Sequence, residues 1–182
     1  MSHPSLQDRV TRLDCARWHG GPFPATPSMI VMHINDGDTF MSSVLYLNTT
    51  TDKKASYHYG IEKDGRIIRM TDPSLVAWHA GDSAWPNPIA ATPDNPNRPN
   101  GGASVNKRAL GICWASRGER ITDAQIESGL WLCNLYMLGN EIPVEVVLGH
   151  LQVSPGRKTD PPPSAMDMDE WRARLTAYQA NA

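Results

Sequence analysis

The chain reads as a single α/β domain, a central mixed β-sheet flanked by helices, and three observations predict it. Short apolar runs, Met29 to Met32, Ala109 to Ala115 and Val144 to Leu148, have the length and β-branched content of buried strands. Between them lie capped segments with apolar residues at helical spacing, the alternation that builds one layered α/β structure. With 182 residues, 40% of them hydrophobic, the chain has enough core for one domain without disulfides.

Residues 1–28 are polar and punctuated, ending in Gly20-Gly21-Pro22-Phe23-Pro24, and read as an N-terminal surface arm ahead of a domain spanning 29–178. Four apolar residues in a row at Met29–Met32 suggest a strand covered on both faces, with His33 at its end. Asp38 or Thr39 caps a short helix through about Leu47, its inner face formed by Phe40, Val44 and Leu47. Ala55 to Met70 holds two strand-like runs about Lys63-Asp64-Gly65, a hairpin signal. Residues 82–108 carry prolines, Asn and Gly without hydrophobic period and read as one long loop, a groove wall by its place after His79. Thr122-Asp123-Ala124-Gln125 is a capping box opening a helix with Ile126, Leu130, Cys133, Leu135 and Leu138 among its apolar positions and Gly139 as its stop. A last helix from about Asp167, with Trp171 and Leu175 inward, closes the domain.

Composition narrows the function. A formal net charge of -2 argues against a nucleic-acid or membrane-surface partner. Cys15, Cys113 and Cys133 are an odd, scattered set without a CxxC, so neither a disulfide framework nor a cysteine zinc site is expected. The N-terminus lacks the apolar run of a signal peptide and no later run is long enough to span a bilayer, so the expectation is a monomer made in the cytoplasm, without membrane insertion.

The chemistry concentrates between Gly149 and Pro161. Pro155, Gly156 and Pro161 exclude a continuous helix or central strand there, so His150, Lys158 and Asp160 are presented on a stiff turn-rich segment. A neutral imidazole and a carboxylate are both zinc ligands, and a third ligand from elsewhere would leave one tetrahedral position open. Read alone, His33 fits a core-edge histidine bonded to backbone better than a ligand. His79 reads evenly as a substrate contact or a hydrogen-bonded support. Trp85 either stacks on a sugar ring or packs its own loop, and His58, beside Tyr57 on a strand, reads as structural.

Taken in order, His33 at a strand end, Tyr57-His58-Tyr59 before Lys63-Asp64-Gly65, Ala77-Trp78-His79-Ala80-Gly81, Leu110-Gly111-Ile112 and the segment from Gly149 to Pro161 resemble the zinc-dependent N-acetylmuramoyl-L-alanine amidases, the amidase_2 enzymes similar to peptidoglycan recognition proteins and phage lysozyme-like amidases. The resemblance spans roughly residues 29 to 175. It implies one Zn2+ per chain held by His33, His150 and Asp160 and catalytic roles for Lys158 and Tyr57; beside these, His79 and Trp85 are the candidate substrate contacts. The implied substrate is peptidoglycan or muropeptides, cut between N-acetylmuramic acid and L-alanine, with a phage-type endolysin acting on the wall after release or export by another factor as the leading reading. The alternatives are a non-catalytic recognition module and an intracellular muropeptide-recycling amidase. Against the recycling pattern, Cys113 stands where those amidases place a glutamate; separately, Pro161-Pro162-Pro163 replaces the family's usual Pro-Gly-Pro, a difference of local loop shape.

Overall fold

The structure, a computed structural model, describes residues 10–81, 83, 91–92, 95–99 and 105–181. At its centre six strands form a mixed sheet: β1 (Val10–Arg12), β3 (Met29–Ile34), β4 (Tyr59–Ile61), β5 (Ile67–Arg69), β9 (Ala109–Trp114) and β10 (Val147–Gly149), in the spatial order β1-β5-β4-β9-β3-β10. β4 and β5 are antiparallel, while β4, β9, β3 and β10 run parallel. Two further pairs lie outside this sheet: β2 (His19–Pro22) with β6 (Leu75–Ala77), and β7 (Ala91–Thr92) with β8 (Asn95–Pro99).

Strand alternation divides the core. From the central strands Ile30, Met32, Ile112 and Trp114 point to one face, where they meet Leu132 and Met137 of α2 (Asp123–Asn140) and Trp171 and Leu175 of α4 (Met168–Ala180). Met29, Val31 and Ala109 point to the other, and Phe40, Val44 and Leu47 of α1 (Phe40–Thr49) pack there against Ile68 and Cys113. Gly60 is glycine because the Phe40 ring lies over it, where a Cβ would come within 1.9 Å of the ring.

The capping chemistry is local. Thr39 caps α1 by accepting from Ser42 N, and the buried Glu62 carboxylate adds two bonds from Phe40 N and Met41 N. Thr122 and Gln125 form the reciprocal capping box of α2, and Asp167 accepts from Asp169 N and Glu170 N at the start of α4.

Four expectations change. The described part of the arm, from Val10 on, is woven into the fold, since β1 pairs with β5 at the sheet edge and β2 with β6. Gly139 does not stop α2, which continues to Asn140 and ends at Glu141 in the left-handed region. Leu135 and Leu138 face solvent, because the buried stripe of α2 runs through Gly129, Leu132, Cys133 and Met137 instead. The stretch from 82 to 108 is not one structureless loop, for its described part contains β7, β8 and a 3-10 turn at Val105–Lys107.

Candidate metal centre and groove

Parallel register brings the histidines together. Gly149 of β10 is paired with Met32 of β3, so the next residues, His150 and His33, emerge side by side at the carboxyl ends of adjacent strands. His150 opens the short helix α3 (His150–Val153), and the chain then turns back until Leu151 N donates to Asp160 O at 2.8 Å. That return delivers the Asp160 carboxylate to the two rings.

His33 Nδ1 and His150 Nδ1 lie 3.1 Å apart. An Asp160 oxygen lies 3.3 Å from His33 Nδ1 and another 3.1 Å from His150 Nδ1. Three donors on a tetrahedral ion with bonds of 2.0–2.1 Å sit about 3.3 Å apart, so these separations fit a zinc-sized ion. Both histidines are buried, at 0% and 3% exposure. Burial, reinforced by His150 and opposed by Asp160, lowers the His33 pKa to about 4, so its ring is neutral near pH 7 and its lone pair is available. Among the described residues this is the one group of His, Cys, Asp and Glu side chains with metal-ligand proximity.

The ligand atoms open into a groove of about 590 Å³ whose walls include Tyr57, Lys158 and Arg117. The Tyr57 ring packs edge-on against His33 at 5.1 Å and against Phe40 at 6.0 Å between centroids. Burial first, then the neighbouring Cys113 and Asp160, raise the Tyr57 pKa well above its ordinary value, so its hydroxyl keeps its proton. Cys113 lies in register with His33 on β9, fully buried, its thiol also raised well above the ordinary range by burial. Lys158 is half-buried on the same wall as Asp160, its backbone N held by Ser154 O at 3.0 Å. Thus His33, Tyr57, His79, His150, Lys158 and Asp160 converge; Trp85 lies outside the described residues.

His79 lines the groove, and both of its ring nitrogens also have protein partners. Its side chain is 6% exposed, with Nδ1 at 3.1 Å from His33 Nε2 and Nε2 at 3.2 Å from Ala109 O. His58 is structural as expected: Nδ1 accepts from Gly111 N and Nε2 donates to Leu75 O, both at 2.9 Å.

Sequence reasoning missed Asn35, which accepts from Gly37 N and Ser116 N and donates to Thr39 O and Ser43 Oγ, joining β3, α1 and β9 at the groove mouth. It also missed Asn106, which receives the backbone N–H groups of both His79 and Ala80. A lone Asn in a polar stretch has no periodic signal to mark it.

Comparisons agree with this geometry. The family model described as Amidase_2, N-acetylmuramoyl-L-alanine amidase, matches residues 23–163. The N-acetylmuramoyl-L-alanine amidase AmiD of Escherichia coli is 28% identical over 169 residues, covering 84% of this chain and 54% of AmiD. The 1,6-anhydro-N-acetylmuramyl-L-alanine amidase AmpD of Haemophilus influenzae is 33% identical over 110 residues, 59% of this chain and 52% of AmpD. The chain spans about half the length of these curated relatives. A crystal structure of an AmpD derivative superposes with a TM-score of 0.71 at 22% identity, covering 91% of this chain and 93% of that one, a likeness of fold. E. coli AmiD, solved in complex with the substrate anhydro-N-acetylmuramic acid-L-Ala-D-gamma-Glu-L-Lys, superposes with a TM-score of 0.64 at 27% identity, covering 84% of this chain and 59% of that one. A family match over well more than half of the chain, with the His-His-Asp set inside it, means that the chain belongs to the Amidase_2 family of N-acetylmuramoyl-L-alanine amidases.

Proposed function

We propose that this chain is a zinc-dependent peptidoglycan amidase that hydrolyses the amide bond between N-acetylmuramic acid and L-alanine. The observation that carries the reading is the convergence of His33 Nδ1, His150 Nδ1 and the Asp160 carboxylate on one point at the floor of the groove. Zinc bound there would supply an open coordination position for water and a Lewis acid for the amide carbonyl.

The chain's own residues supply the remaining chemistry. Lys158, on the groove wall two residues before Asp160, directs its ammonium at the oxyanion that develops as the amide is attacked. Tyr57, protonated at neutral pH, offers a hydrogen bond to the same tetrahedral centre. Its contacts with His33 and Phe40 hold the ring in place, so little ordering is left for the moment of reaction.

The lytic reading is supported by Cys113, a neutral buried thiol where the recycling pattern calls for a carboxylate. The recycling reading is supported by the names of the relatives, AmpD as a 1,6-anhydro-N-acetylmuramyl-L-alanine amidase above all. We infer a monomer that acts on the wall after release or export by another factor. Mass spectrometry of digests separates the cases. Free stem peptides and intact glycan strands from polymeric peptidoglycan mark a wall amidase, whereas turnover confined to soluble anhydro-muropeptides marks recycling. Binding without any cleavage would replace both with a recognition module.

A further inference from the structure

We propose that His79 is a positioning residue for the metal centre, and that Asn106, by clamping the His79-Ala80 backbone, sets the proton positions on both ligand histidines before any metal arrives. The inference rests on the metal-centre reading above and deepens it, because it concerns residues that hold the ligand histidines without themselves contributing a ligand atom.

Two backbone carbonyls, Ala80 O and Ala109 O, face the rings of His150 and His79. A carbonyl oxygen only accepts, so an imidazole nitrogen against it must carry the hydrogen. His150 Nε2 lies 3.2 Å from Ala80 O, so Nε2 is the nitrogen that carries a proton there and Nδ1 is the one left to face the metal point. His79 Nε2 lies 3.2 Å from Ala109 O, so it too is protonated there and its Nδ1 is an acceptor. That acceptor sits 3.1 Å from His33 Nε2, which must then donate, leaving His33 Nδ1 bare. The proton order runs from His33 to His79 to the β9 backbone. In this proton order the far ends are two bare Nδ1 atoms 3.1–3.3 Å from the Asp160 carboxylate, three acceptors that a cation would satisfy together.

One side chain serves both arms of this arrangement. Asn106 Oδ1 accepts from His79 N at 3.1 Å and from Ala80 N at 2.7 Å. It thereby places the ring that orients His33 and the carbonyl that orients His150. The ring needs room against β9, and Gly111 provides it: a Cβ there would lie 2.5 Å from His79 Cγ. The outer partners of metal-bound imidazoles commonly change metal affinity by about 10–100-fold when removed.

The test begins with the metal-free wild type, labelled with 15N and read by multiple-bond 15N–1H NMR at pH 7. His33 and His150 should both be protonated at Nε2 and bare at Nδ1; a proton on Nδ1 of His33 would overturn the inference with no substitution needed. His79→Phe should let the His33 tautomer become mixed and weaken zinc binding about 10–100-fold in a competition with a chromophoric chelator. His79→Gln, whose amide oxygen can still accept from His33, should recover most of that loss. Asn106→Ala should disturb the spectra of both ligand histidines. If His79→Phe kept the wild-type His33 spectrum and zinc affinity, His79 would be scaffold, and the amidase reading would be untouched. If instead the wild type showed both bare Nδ1 atoms yet took up no zinc, the zinc reading would fall while the assigned proton positions on His33 and His150 would stand.

Discussion

The two faces of the sheet are made by the same strands and behave as different materials. On β3, Ile30 and Met32 go into an apolar layer with α2 and α4, while His33 joins a face that holds His58, His79, Cys113 and Tyr57. One face is closed by close packing of large side chains around Trp114 and Trp171, whose rings meet edge-on at 5.7 Å. The other combines apolar packing of Val31, Phe40, Val44 and Leu47 with directed bonds between imidazoles and backbone, such as His58 to Gly111 N and Leu75 O. The difference teaches that adjacent residues can answer to separate demands: changes on the apolar face should cost stability and leave chemistry alone, and changes at the ligand and groove residues of the polar face should do the reverse.

The strongest break of that comparison is at the ligands. Asp160→Ala leaves two imidazoles to hold the ion, so metal content should fall to background and amide hydrolysis should drop below detection while the protein stays folded, since Asp160 is partly exposed and its backbone contact survives. Elemental analysis together with circular dichroism checks both halves. Full metal content in this variant would remove Asp160 from the site.

Next is Lys158→Ala. An ammonium aimed at a developing oxyanion stabilises charge absent from the ground state, so kcat should fall about 10²–10³-fold, equivalent to ~3–4 kcal/mol, with zinc content and melting temperature nearly unchanged. A rise in KM at constant kcat would make Lys158 a binding residue instead.

The apolar face gives the counterpart. Ile112, next to Cys113 on β9 and 0% exposed, lies in the cluster with Ile30, Met32 and Trp171. Ile112→Ala should cost about 3 kcal/mol of stability by lost burial and an unfilled cavity. Activity per folded molecule and zinc content should stay at the wild-type level; a loss of zinc at temperatures where the variant is fully folded would show that the two faces are coupled.

Much of this division was legible in residue order. The strands at Met29 and Ala109, the Lys63-Asp64-Gly65 turn, the Thr122–Gln125 capping box and the Asp167 cap are signals of local chemistry, and the structure places each as expected. His33, His150 and Asp160 were identified by resemblance, and strand register explains why residues so far apart in sequence meet. What stayed hidden depends on neighbours across the fold. The α2 stripe shifts toward Gly129 because Trp114 and Trp171 pack beside it, where no side chain fits. The role of His79 turns on a carbonyl of Ala109 and an amide of Asn106, partners that no spacing rule announces.

The mildest effect is set by pH, and it isolates a polar-face histidine that touches none of the ligands. His58 receives Gly111 N–H on Nδ1 and donates from Nε2, so a second ring proton would place two N–H groups against each other in a buried space. Burial lowers its pKa from 6.5 to about 4, with the Leu75 carbonyl and Asp72 opposing. Below pH 6.5 the unfolded chain takes up a proton that the folded ring refuses until about pH 4, so folding is favoured fully above 6.5 and loses ground as the pH falls through that window. The loss from His58 should be a little over 1 kcal/mol at pH 5.5 and about 3 kcal/mol at pH 4. Burial depresses His79 in the same sense and adds to the slope. Urea midpoints measured with a chelator present remove the metal from the comparison, and the His58 ring resonances should show no titration above pH 5. A ring that titrates near 6.5, or midpoints level from pH 7 to 5, would mean that the polar face is not held together by neutral imidazoles.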